Sequence, residues 1–141
     1  MKYLSKVLVL LAAVSVAQLA TASSEQEEQL KRIEIYYQAV CHYQYPTGTT
    51  AKEIKEVQEA GASLRGILKN PKTALQRILE EGQRKDLGVF SVIVSCSMVE
   101  ALKDLVAAQG CTDTDGTKLG APNVTEAVAT CQNLIKTLQN R

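Results

Sequence analysis

Apolar side chains recur along most of this chain at steps of three and four residues, the spacing of one face of an α-helix. Proline and glycine interrupt that rhythm at Pro46–Gly48, Asn70–Pro71, Gly82 and the stretch from Gly110 to Pro122. The breaks divide the chain beyond residue 22 into five segments. The first, Glu25 to about Tyr43, places Leu30, Ile33, Tyr37, Val40 and Cys41 on one inward stripe. In the second, Thr50 and Glu53 form a capping-box signature ahead of Ile54, Val57, Gly61, Leu64 and Leu68. Lys52, Lys55, Glu56 and Glu59 make its wet face. Asn70 before Pro71 reads as an N-cap with proline at the first helical position. The short helix it opens carries Leu75, Ile78 and Leu79 inward and ends near Gly82. In the last segment Asn123 and Glu126 make a second capping-type start. Val124, Ala127, Val128, Cys131, Leu134, Ile135 and Leu138 follow in helical register.

The fourth segment, residues 87–108, is β-branched and apolar almost all round as far as Val99. A strand there has no second strand to pair with, and each buried unpaired backbone group costs about 1–3 kcal/mol. "MVEALKDLVAA" is helical, so continuity predicts one long helix, central because it is apolar on every side. Glu100, Lys103 and Asp104 rule it out as a membrane span.

The opening residues carry a different pattern. Lys2 and Lys6 precede the apolar run "VLVLLAAVSVA", and Ala20-Thr21-Ala22 supplies a small-x-small cleavage signature. That run is shorter than the roughly 20 residues a bilayer span needs. A cleaved signal peptide over residues 1–22 and a single helical domain over 23–141 are therefore expected, in a secreted, extracellular protein without stable membrane insertion. Losing Lys2 and Lys6 leaves 14 basic against 15 acidic side chains, a net charge of about −1. Such a mixed, near-neutral surface argues against a nucleic-acid partner.

Four cysteines in a secreted chain point to two disulfides. Cys96 and Cys131 face inward at mid-helix, whereas Cys41 and Cys111 sit at or just past helix ends. Pairing like with like gives Cys41–Cys111 and Cys96–Cys131, with Cys41–Cys96 and Cys111–Cys131 the nearest alternative. The expected fold is all-α: a compact four- to five-helix bundle cross-linked by two disulfides. Its architecture resembles that of the insect odorant-binding proteins. The 54 residues between Cys41 and Cys96 depart from the short early cysteine spacing of that family, so no residue role is carried over.

Candidate chemistry concentrates in "IYYQAVCHYQYPTG", which holds Tyr36, Tyr37, Tyr43, Tyr45, Cys41 and the only histidine, His42. Adjacent helix positions do not face each other, and Cys41 is expected in a disulfide, so a Cys–His nucleophile is not supported. One histidine and no C-x-x-C pair leave no structural zinc set. "CTDTDGTKLG" fails the calcium-loop register: with Asp113 as the first ligand, Gly116 arrives at position four instead of six, and position twelve is Val124 instead of glutamate. No phosphate-binding glycine loop or hydrolase elbow is present, so neither enzyme activity nor a cofactor is expected. The dibasic Arg84–Lys85 sits at a junction, whereas Lys31–Arg32 lies inside a helix. Asn123-Val124-Thr125 is an N-glycosylation sequon.

The leading expectation is a non-enzymatic binding protein holding a small apolar or amphipathic ligand between its helices. Its walls would be Tyr36, Tyr37, Val40, Tyr43, Leu64, Phe90 and Ile93, with Gly61 on the inward stripe as either a close helix crossing or a cavity wall. The alternative is an extracellular protein-interaction module, an effector or inhibitor acting through a helix face. Tyrosine rings around a void favour the first; rings on a convex surface favour the second.

Overall fold

Helix starts and stops follow local chemistry closely. The computed structural model describes residues 23–140, so the expected leader over residues 1–22 lies outside the described residues. α1 runs Ser23–His42 and stops where Tyr43 turns left-handed at φ 56°. The Gln44 N–H then donates back to the Gln38 carbonyl at 3.1 Å. α2, Ala51–Lys69, opens on the expected capping box: Glu53 N–H donates to Thr50 Oγ1 and Thr50 N–H to Glu53 Oε1. α3, Pro71–Gln83, begins one residue later with Pro71 in its first turn. Asn70 occupies the cap position, yet its side chain makes no capping hydrogen bond.

The α3–α4 corner is set by two glycines. A Cβ on Gly82 would lie 2.7 Å from the Gly88 Cα, so the backbones meet where only glycine fits. The Leu87 N–H closes the corner onto the Gly82 carbonyl at 2.7 Å. α4, Gly88–Gln109, is the expected long helix and packs against each of the other four described helices. A short antiparallel hairpin follows, β1 Cys111–Thr112 with β2 Lys118–Leu119, Cys111 opposite Leu119.

α5, Ala121–Gln139, starts earlier than its sequence signature indicates. Gly120 is the cap residue, and Asn123 sits at the third helical position, where Oδ1 accepts the Gly120 N–H at 3.0 Å. An asparagine at that position bonds backwards to the cap, which reads along the sequence like a cap itself.

The result is an all-α bundle of five described helices, cross-linked by Cys41–Cys111 and Cys96–Cys131 as expected from pairing like positions. One continuous core runs through Tyr36, Tyr37, Val57, Leu64, Ile67, Leu75, Val92, Val99, Leu102 and Ala127. Two details of the expected stripes differ. On α1 the buried stripe is centred between Tyr36 and Tyr37, which brings Gln29 inward and leaves Leu30 64% exposed. On α4 the early turns are covered on one flank only: Gly88 and Val92 are buried, while Val89, Phe90 and Ile93 are exposed. No helix of the described residues is long and apolar enough to cross a membrane.

Candidate functional site

The seven expected wall residues do not come together around a ligand space. Tyr36, Tyr37, Val40 and Leu64 are buried in the packed core. Tyr43 is half-buried at the end of α1. Phe90 and Ile93 stand on the outside of α4. The seven positions thus lie in three separate environments; for Phe90 and Ile93, a helix apolar on every side carries no periodic sign of which flank is covered.

The tyrosines instead fasten α1 to the hairpin. The Tyr37 hydroxyl donates to the Gly110 carbonyl, a group that only accepts. With that proton committed, His42 Nε2–H is the donor in its 2.9 Å bond to the same oxygen. The two rings meet edge to face, 5.2 Å apart at 80°. Burial raises the Tyr37 hydroxyl above its ordinary pKa, which keeps it a donor. Tyr43 reaches the next carbonyl but one, its hydroxyl donating to Thr112 at 2.9 Å. Cys41 is consumed in the disulfide to Cys111, so no thiolate accompanies His42.

Sequence reasoning missed Arg65. It is only 3% exposed, on the inward stripe of α2. Its Nη1 donates to the Val40 carbonyl at 2.7 Å, its guanidinium lies 5.1 Å from the Tyr43 ring centre, and Nε faces Asp113 Oδ1 at 3.4 Å. Nε makes no geometric hydrogen bond, so the pairing with Asp113 is electrostatic. The available signal was Arg65 four residues after Gly61, one turn along the same stripe. A Cβ on Gly61 would lie 2.8 Å from Arg65 Nη1 and 3.4 Å from Val40, which makes Gly61 a close crossing and not a cavity wall.

Lys69 extends the cluster to the hairpin tip, at 3.3 Å from Asp113 and 2.6 Å from Asp115. Its hydrogen bond to Asp115 holds the Lys69 pKa above the ordinary value. The same bond, aided by Thr117, holds the Asp115 carboxyl well below the usual range. Burial pushes Asp113 up, but the Thr114 N–H and the Lys69 ammonium outweigh it and leave its pKa lowered. These charges are matched within the protein, which makes the cluster a latch.

Two surfaces of the described residues are open and apolar. A groove of about 450 Å³ runs along the outer side of α1, with Ile35, Tyr45 and Pro46 as its apolar lining and Lys31, Glu34, Gln38 and Gln44 around them. The Tyr45 hydroxyl is shielded from solvent and has no hydrogen-bond partner among the described residues. The second surface is the start of α4, where Leu87 (50% exposed), Val89 (44%), Phe90 (63%) and Ile93 (38%) crowd into seven residues. Comparison of the chain with models of known families, with curated proteins and with solved structures finds no match.

Proposed function

We propose that this chain is an exported, non-enzymatic binding module that engages a macromolecular partner through the opening turns of α4. The apolar quartet Leu87, Val89, Phe90 and Ile93 carries the reading. Val89 and Ile93 are one turn apart, and Phe90 and Ile93 nearly so, which groups these three on one flank, with Leu87 at the helix start before them. Fully burying an exposed side chain of this kind gains about 1.5–3 kcal/mol, and each of the four is 38–63% exposed, so part of that gain is left unrealised at each. Exposed apolar patches on a well-packed domain mark interaction sites, and an aromatic at the centre suits an anchor. The enclosed rings of Tyr36 and Tyr37, with Tyr37 already hydrogen-bonded, support surface recognition over an interior ligand. Export is supported by the leader signature and by the pairing of all four cysteines in disulfides.

The test is capture from extracellular fluid of the source tissue on immobilised protein, with Phe90→Asp as the comparison. Phe90 is exposed, so the substitution leaves the far-ultraviolet circular dichroism unchanged. A partner retained by the parent protein and lost from Phe90→Asp is the expected outcome; equal capture by both ends the proposal.

A second reading keeps the small apolar or amphipathic ligand but moves it to the α1 groove. Its support is the volume of that groove, within the range of small-molecule sites, and the apolar lining that Ile35, Tyr45 and Pro46 give it. Native and denaturing mass spectra of the gently purified protein decide it. Bound mass that disappears on denaturation and is lost in Ile35→Asp supports a groove ligand. A clean mass, with no uptake from a mixture of fatty acids, removes it.

A further inference from the structure

Asn123 holds two chemically distinct atoms in two different situations. Its side-chain oxygen accepts the Gly120 N–H at 3.0 Å, so the atom at that position is Oδ1 and the other is Nδ2. Nδ2 has no hydrogen-bond partner among the described residues. Around it Ala121, Pro122, Thr125 and Glu126 are exposed. The sequon Asn123-Val124-Thr125 has valine, not proline, at its centre. Helix capping and glycan attachment appeal to opposite ends of the same amide: the cap uses Oδ1, the glycan uses Nδ2.

We infer that Asn123 is an N-glycosylation site whose glycan leaves the helix cap intact. The donor is a lipid-linked oligosaccharide diphosphate. The bond between the first sugar's C1 and the diphosphate oxygen breaks, the C1–Nδ2 bond forms, and Nδ2 gives up one proton to the departing lipid diphosphate. No oxidant or reductant enters. The product is still an amide, so its carbonyl oxygen continues to accept from Gly120. This rests on the export proposed above, because the reaction belongs to the secretory compartment.

The fold also decides where the glycan goes. Pairing of Cys111 with Leu119 folds the start of α5 back beside the end of α4. Phe90 lies near the other end of α4, about 27 Å from Ala108 at 1.5 Å rise per residue. The sugar therefore covers the hairpin end of the bundle and leaves the Leu87–Ile93 surface open.

The full chain is expressed in glycosylating animal cells twice, once alone and once with an additional secretion leader ahead of Met1. Amidase treatment is expected to shift the product by one glycan and convert Asn123 to Asp in a peptide map. Thr125→Ala and Asn123→Gln lose the shift, and Thr125→Ser keeps it. After deglycosylation Thr125→Ala melts with the parent, whereas Asn123→Ala, which also loses the Gly120 cap, melts lower. Product that reaches the medium without a glycan overturns the site. If only the chain with the added leader is exported and it carries the glycan, the site stands and the export reading falls.

Discussion

Arg65 shows how one residue binds three elements together. Its guanidinium touches the last turn of α1 through the Val40 carbonyl, the residue after α1 through the Tyr43 ring, and the hairpin through Asp113. Arg65→Ala leaves the Val40 carbonyl and Asp113 without this partner and is expected to cost about 3 kcal/mol in urea unfolding. Arg65→Lys is expected to fall between, since an ammonium cannot fork to a carbonyl and stack on a ring at once. Gly61 makes the arrangement possible, and its replacement separates two opposing effects. Alanine gains about 1 kcal/mol of helix propensity but drives its Cβ against Arg65 Nη1. Gly61→Ala is therefore expected to destabilise the parent and to become neutral or stabilising in the Arg65→Ala background. Equal effects in the two backgrounds would show that the crossing does not depend on the guanidinium. Gly66 is the contrast: only Ala74 comes within 4.0 Å of a Cβ there, so Gly66→Ala is expected to raise stability by about 0.5–1 kcal/mol, read from the same denaturation curves.

The hairpin, as an element, is two residues deep on each side and is held by its surroundings. Lys69 grips Asp113 and Asp115 from α2, and both carboxyls have folded pKa values below their unfolded ones. A lowered carboxyl pKa stabilises fully above the unfolded value, near pH 4, and that contribution is lost as pH falls through the folded value. The difference in urea midpoint between the parent and Asp115→Asn is thus expected to stay constant from pH 7 to about pH 5 and to shrink below pH 4. A difference that does not shrink at all between pH 4 and pH 2.5 would mean that ionisation is not what Asp115 contributes. The helices, by contrast, were readable because their signals are local. Thr50 and Glu53 are three residues apart, and Pro71 marks its own first turn. Asn123 misled by three residues because an asparagine reaching back to the cap resembles one that is the cap. The tyrosine wall was not readable for a different reason. The acceptors that claim the Tyr37 and Tyr43 hydroxyls are the carbonyls of Gly110 and Thr112, 73 and 69 residues away, and no periodicity reports a partner at that range.

Across the whole molecule the two disulfides close chain separations of 70 and 35 residues. Loop entropy assigns each about 4 kcal/mol, so length alone scarcely distinguishes them. What differs is the packing that remains when each is removed. Cys96–Cys131 joins α4 to α5, which share the most extensive helix–helix contact of the described structure. Cys41–Cys111 joins the end of α1 to the hairpin, where the supports are tyrosine hydroxyls, Arg65 and Lys69. Cys96→Ala/Cys131→Ala should therefore lower global stability without opening any one region. Cys41→Ala/Cys111→Ala should instead release the hairpin and the last turn of α1 first, with α4 and α5 exchanging only on global unfolding. Hydrogen exchange followed by mass spectrometry separates these patterns. Uniform acceleration in both variants would mean that hairpin and bundle unfold as one unit. Selective release would mean that Cys41–Cys111 holds a separately foldable latch, mounted on a bundle already stable through its apolar core, and that the Leu87–Ile93 surface at the far end of α4 keeps its shape when the latch opens.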